Sequence, residues 1–257
     1  MDLITAVILG IVQGVSEFLP ISSTGHMILA SQLMGLKHTE FLKSFEIAIQ
    51  AGTILSVVVL YGRTLLVDME VIKRLIVAFL PTGILGLTLY RMIKGYLLGS
   101  EAVVLWALLV GGVVLVAFER WYREKPDAAD EIRDISYKTA LIIGLFQSVA
   151  MIPGVSRSAS TIVGGLLLGL KRKTIVEFTF LLAVPTMLAA TGYDLIRSGS
   201  QFSAGEFQYL LAGFVTAFAV ALLSIKFLLR FIKTHTFIPF GVYRMVLVVC
   251  WVLLLKI

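Results

Sequence analysis

Long apolar runs alternate with short polar interruptions along the chain, and six of the runs are long enough to cross a bilayer as helices. They cover residues 41–61, 72–92, 101–122, 174–196, 206–229 and 237–256. Two further apolar regions break near the middle at a polar, proline-containing loop, 16–26 in one and 151–161 in the other. Each half of a broken region has about 10–13 residues, or roughly 15–20 Å of helix, about half a bilayer. The pattern predicts an all-α polytopic membrane protein with six transmembrane helices plus two re-entrant helix–loop–helix hairpins, at about 3–36 and 137–170. A β-barrel does not fit, because the apolar residues form continuous runs rather than a period-two alternation.

The order of elements repeats: a broken region, then three spans. A shift of 134 positions lays Thr5–Gln13 over Thr139–Gln147, matching Thr, Ala, Ile, Gly and Gln. Thr82 and Thr216 also match at this shift. The expected division is therefore a single membrane domain with repeats at 1–125 and 135–257, joined by a hydrophilic cytoplasmic linker at 120–136. Three spans per half start the second half on the opposite face, so the repeat is inverted and its two broken elements meet near the midplane.

Composition supports the membrane assignment. The 257 residues are 58% hydrophobic and 15% charged, with a mean hydropathy of +0.96, more apolar side chain than a soluble domain could hide. The net charge of +6 comes from basic residues at the ends of apolar runs, which points to lipid headgroups rather than nucleic acid. On the face expected to hold both termini there are six Lys and Arg, and on the other fourteen. The positive-inside rule then puts both termini outside. One cysteine, Cys250, allows no internal disulfide. The start of the chain has no basic segment followed by a small-residue cleavage site, so no removable signal is expected.

The polar interruptions carry the chemistry. Gln13 to His26 reads Q-G-V-S-E-F-L-P-I-S-S-T-G-H, and Pro153 to Thr161 reads P-G-V-S-R-S-A-S-T. Arg157, flanked by Ser156, Ser158, Ser160 and Thr161, is costly at membrane depth unless it meets a partner or a wet cavity. Its fork suits a phosphate or carboxylate, and Glu17 offers the competing internal ion pair. Hydroxyl residues just before each returning apolar half mark helix starts, whose free N–H groups and partial positive charge attract anions. Two such ends and Arg157 aimed at one point suit a phosphate or diphosphate. Glu17 is then either protonated or holds a divalent cation bridging to phosphate. Ser23 and His26, one helical turn apart, form a candidate nucleophile and acid/base pair. Gly10-x-x-x-Gly14 and Gly165-x-x-x-Gly169 are expected to let the half-helices approach their neighbours. Glu46, Gln50, Glu177, Asp194 and Arg244 are assigned to snorkelling or helix pairing.

At these residues the chain resembles the undecaprenyl-diphosphate phosphatases of bacterial envelope synthesis, of the bacitracin-resistance type. Beyond Gln13–Met27 and Pro153–Thr161, the resemblance includes F-E-I-A-I-Q-A-G-T (Phe45–Thr53), E-F-T-F-L-L-A-V-P (Glu177–Pro185) and F-I-P-F-G-V-Y-R (Phe237–Arg244). It implies removal of the terminal phosphate from a C55 polyprenyl diphosphate to yield the monophosphate carrier for peptidoglycan synthesis. It also implies a divalent metal (Mg2+ or Ca2+) and a place in the bacterial inner membrane. By the charge count the first broken element, with the nucleophile candidate, enters from the outer side, so the active site is expected to open outward. Carried over by position, Glu17, Ser23, His26 and Arg157 are catalytic. Ser22, Thr24, Ser156, Ser158 and Thr161 join Arg157 in binding the diphosphate. The metal falls to Glu17 with Gln13, where many members of that family have glutamate. The partners implied are the lipid substrate and the bilayer, with room for a homodimer. Attack by Ser23 and attack by a metal-activated water both remain open. The alternative reading is a transporter or flippase for a phosphorylated lipid or anion, since inverted repeats and broken helices also build transporters.

Overall fold

The computed structural model describes residues 1–37, 39–92, 100–124, 128–198 and 206–255. The helices are α1 (Leu3–Ser16), α2 (Ser23–Leu33), α3 (Glu40–Val67), α4 (Met69–Met92), α5 (Glu101–Trp121), α6 (Tyr137–Ser148), α7 (Arg157–Leu167), α8 (Arg172–Ser198), α9 (Phe207–Phe231) and α10 (Ile238–Leu255). Single 3-10 turns stand before α6, at Ile132–Asp134, and after it, at Val149–Met151. The β pairing among the described residues is an isolated bridge, Ala129 with Leu170, which fastens the linker to the α7–α8 turn. Lys94, Lys125 and Lys256, three of the charges used to assign orientation, lie outside the described residues, as do the side chains of Arg91, Asp194 and Arg197.

The expected six spans and two re-entrant hairpins are corrected here. Among the described residues, five helices are long and apolar enough to cross a membrane: α3, α4, α5, α8 and α9. The sixth expected span, 237–256, becomes the 18-residue α10, about 27 Å long at 1.5 Å per residue, against a hydrocarbon core of about 30 Å. The segments expected as hairpins are short helix–loop–helix pairs, α1 with α2 and α6 with α7, in which α1 and the stretch Tyr137–Met151 are apolar but fall below spanning length.

Each half braces the other. Helix α1 lies on α9, and α6 lies on α4. Glycine makes the first contact close, since a Cβ at Gly10 would fall 2.8 Å from the Gly213 carbonyl oxygen and one at Gly14 2.8 Å from that of Ala217. Gly144 presses in the same way on the Ala78 carbonyl, beside a hydrogen bond of 3.2 Å from Thr82 Oγ1 to the Gly144 oxygen. Gly165 packs against Ile175 as the glycine spacing predicts, but a Cβ at Gly169 would meet nothing within 4 Å. Its φ of +82° ends α7 instead, a left-handed cap that glycine adopts without strain.

One buried carboxylate ties three helices. Glu119, 2% exposed, accepts both arms of the Arg172 fork and the Phe237 N–H at 3.3 Å, so α5, α8 and the start of α10 meet on it. Arg172 also lies over the Tyr122 and Phe237 rings, 5.5 and 5.6 Å from their centroids. Breaking a buried pair leaves an uncompensated charge. Glu119→Gln is therefore expected to cost about 3 kcal/mol, read as a lower thermal midpoint of the purified protein in detergent.

Candidate active site

Helices α1 and α6 each stop well short of a span, and the loops that follow them meet. The chain leaves α1 at Glu17 and restarts at α2, whose cap is Ser22, with its hydroxyl accepting from the Gly25 N–H at 3.3 Å. The chain leaves the second 3-10 turn and restarts at α7, whose cap is Ser156, accepting from the Ala159 N–H at 3.1 Å. Both helix starts thus fall where the hydroxyl clusters predict them. Ser22 has φ +75°, an unusual backbone for a residue with a side chain and a local strain held by its surroundings. The loops are stitched directly: Ser158 Oγ donates to the Phe18 carbonyl at 2.9 Å, and the Phe18 and Phe180 rings meet edge-on at 5.3 Å. This junction lies within the main buried core.

Arg157 and Glu17 face each other there. One arm of the guanidinium donates to the Thr179 carbonyl at 2.9 Å and the other reaches Glu17 Oε1 at 3.4 Å. The internal ion pair is thus present but long, and Arg157 Nε, although buried, has no partner. Glu17, 5% exposed, accepts from Gln13 Nε2 at 2.7 Å through its second oxygen. The Ser23 hydroxyl lies beside the same carboxylate. A hydroxyl next to a carboxylate, facing an arginine with a spare donor, can attack a phosphoryl group that the arginine binds and orients.

The other hydroxyls build the frame. Thr161 Oγ1 donates back to the Arg157 carbonyl at 3.0 Å and pairs with Thr179 Oγ1 at 2.8 Å. It is fully buried, as are Ser22, Ser156 and Ser158. These four expected phosphate binders therefore hold the loops in place, while Thr24 stands exposed on the first turn of α2. The two halves differ at one decisive place. Gln13 points its amide at Glu17, one turn on, whereas its counterpart Gln147 donates to Thr82 and Thr186, at 2.9 and 3.1 Å. One turn on from Gln147 stands Met151, so the second element carries no acid.

His26 is not aimed at Ser23. Its Nδ1 is 2.7 Å from the Ser22 carbonyl, an acceptor, so Nδ1 carries the proton. In the neutral ring, Nε2 then accepts from the Tyr243 hydroxyl at 2.8 Å, and the two rings stack at 5.5 Å. Tyr243, from α10, was not singled out by sequence reasoning beyond its place in the F-I-P-F-G-V-Y-R stretch. Next to it Arg244, 1% exposed, donates to the Ala107 and Gly154 carbonyls at 2.9 and 3.1 Å. It ties α10 and α5 to the second loop rather than snorkelling. Gln50 likewise pairs α3 with α8 by accepting from Thr191 at 3.2 Å. Tyr243→Phe removes the donor that fixes the His26 ring at the start of α2 and is expected to lower kcat of phosphate release roughly tenfold with KM unchanged. A tyrosine that only packs would leave kcat in place.

Among the described residues no three His, Cys, Asp or Glu side chains come together. A divalent ion would rest on the Glu17 carboxylate and the Gln13 amide oxygen, with phosphate oxygens and water completing its shell. Mg2+ is commonly held in this way, by few protein ligands and the substrate, so the residues present fit such an ion.

The chain is similar to known proteins along nearly its whole length. The family described as bacitracin resistance protein BacA matches residues 6–250. An undecaprenyl-diphosphatase of Aquifex aeolicus is 54% identical over 242 residues, covering 94% of each chain. One of Persephonella marina is 53% identical over 247 residues, covering 96% of each. One of Methanococcus aeolicus is 42% identical over 244 residues, covering 95% of each.

Proposed function

This chain belongs to the bacitracin resistance protein BacA family, and from that premise we propose that it is an undecaprenyl-diphosphatase of the bacterial cytoplasmic membrane, hydrolysing the C55 lipid diphosphate to the monophosphate carrier of cell-wall synthesis. The observation that carries the reading is Arg157, buried between two loops with Nε unpartnered and facing Glu17 beside Ser23. A diphosphate supplies the acceptor that Nε lacks and lies in line with the hydroxyl.

Ser23 Oγ attacks the terminal phosphorus while Glu17 takes the hydroxyl proton. The Ser23–phosphorus bond forms, the bond from phosphorus to the bridging oxygen breaks, and the lipid monophosphate leaves. Glu17 passes that proton to the departing monophosphate, then takes one from the water that displaces the serine and delivers it to Ser23 Oγ, releasing inorganic phosphate. Arg157 stabilises the equatorial oxygens throughout. Ser22, Ser156, Ser158 and Thr161 fix the loops, and His26 with Tyr243 fixes the start of α2. A divalent ion held by Glu17 and Gln13 supplies charge neutralisation of the diphosphate when bound. The charge count along the chain supports termini outside and a site open to the outer face. Every residue invoked comes from one chain, so no dimer is required. A pure transporter of phosphorylated lipid leaves Ser23 beside Glu17 without a task.

The test is phosphate release from C55 diphosphate by the detergent-purified protein. Release is expected with Mg2+ or Ca2+, is lost on adding chelator, and returns when the ion is restored. A folded, metal-supplied sample that releases no phosphate overturns the reading.

A further inference from the structure

A cavity of about 560 Å³ lies between α4, the end of α6 and α8, within the range of small-ligand pockets. Its walls are apolar, chiefly Phe79, Leu80, Ile84 and Leu87 of α4, with Ala189 and Ala190 of α8 opposite. Leu80, Ile84 and Leu87 are 44, 60 and 66% exposed, on a helix long and apolar enough to span, so the cavity opens sideways toward lipid. Gly86 keeps it wide: a Cβ there meets only the Met151 methyl, at 3.9 Å.

Its lining also includes Gln147 and Arg157. Both carry a buried polar atom without a partner, the acceptor Gln147 Oε1 and the donor Arg157 Nε. Gln147 is 1% exposed, and both threonines that receive its amide donate their own protons to carbonyls, so its oxygen is left over. Unpaired buried polar groups are costly, and they occur here in an otherwise apolar cavity. Such a cavity suits an amphiphile that enters head-first from the bilayer.

We propose that this α4–α8 cavity seats the isoprenoid chain next to the diphosphate, and that Gly86 sets the width available to it. The proposal rests on the phosphatase reading for the position of the head at Arg157. It assigns the lipid a lateral route between α4 and α8, distinct from the α1–α9 side that bears Gly10 and Gly14.

Two measurements decide it. Wild-type protein is irradiated with an isoprenyl diphosphate carrying a diazirine on an isoprene unit near the head, and labelled peptides are mapped. Phosphate release from C55 diphosphate is then compared among wild type, Gly86→Leu and Gly192→Leu. Gly192 has nothing within 4 Å and lies outside the cavity, so it serves as control. Label in α4 and α8, with KM raised about tenfold or more in Gly86→Leu alone and kcat kept, is the expected result. Label in α1 or α9, or an unchanged KM in Gly86→Leu, overturns the proposal. A wild type that takes label in α4 and α8 without releasing phosphate removes the phosphatase reading and leaves the cavity assignment standing.

Discussion

Ser23→Ala is expected to lower phosphate release from C55 diphosphate by roughly 1,000-fold or more, the scale seen when a covalent nucleophile is removed. The substitution is well suited to the question. Ser23 is the first residue of α2, but the cap is Ser22, and alanine is a good helix former. The helix start therefore survives while the hydroxyl beside Glu17 is lost. Were the hydroxyl only a ligand for phosphate, with water as the attacking group, its loss would cost about tenfold, the scale of one hydrogen bond. Acid-quenched wild-type turnover should also carry phosphate on Ser23, detectable by mass spectrometry. Alanine turnover within tenfold of wild type, with no phosphoserine, would pass the attack to water and keep the rest of the site.

The second large effect is Arg157→Lys. Charge is conserved, yet activity is expected to fall on the order of 100-fold, because a lysine cannot reproduce the planar fork. In the structure one arm is held by the Thr179 carbonyl and the other reaches Glu17, so the guanidinium is fixed before any substrate arrives. A lysine ammonium can satisfy one of these partners but leaves no oriented donor for phosphate. The effect is read in kcat/KM, with the thermal midpoint as control for folding. Wild-type turnover in the lysine variant would remove Arg157 from transition-state binding and leave it as the partner of Glu17.

Much of this site was legible because its residues are local. Polar residues inside apolar runs marked both loops, and hydroxyl clusters at the restarts marked where the returning helices begin. Arg157 stood out because an arginine there needs a partner. What escaped came from far along the chain. His26 and Tyr243 are 217 positions apart, and the Thr179 carbonyl that grips Arg157 is a backbone group with no sequence signature. The roles of the serines also needed coordinates, since a hydroxyl that caps a helix and one that binds phosphate look alike in sequence. The number of spans was misjudged for a related reason. Hydropathy gives the extent of an apolar run, here 237–256, whereas the helix described within it is the 18-residue α10. Gly169 fitted a packing motif by spacing but serves as a turn, which only its φ reveals.

The reciprocal bracing of α1 by α9 has a bearing on synthesis. Gly10 is made near the start of translation, and Gly213, against which it closes, near the end. At 5–20 residues per second the interval between them is roughly 10–40 seconds. Throughout that time the glycine face of α1 sits in the membrane without its cover, and for the earlier part of it the carboxylate of Glu17 waits for Arg157, which is made before α9. A nascent chain halted before α9 thus presents an apolar, glycine-lined surface that the finished chain covers.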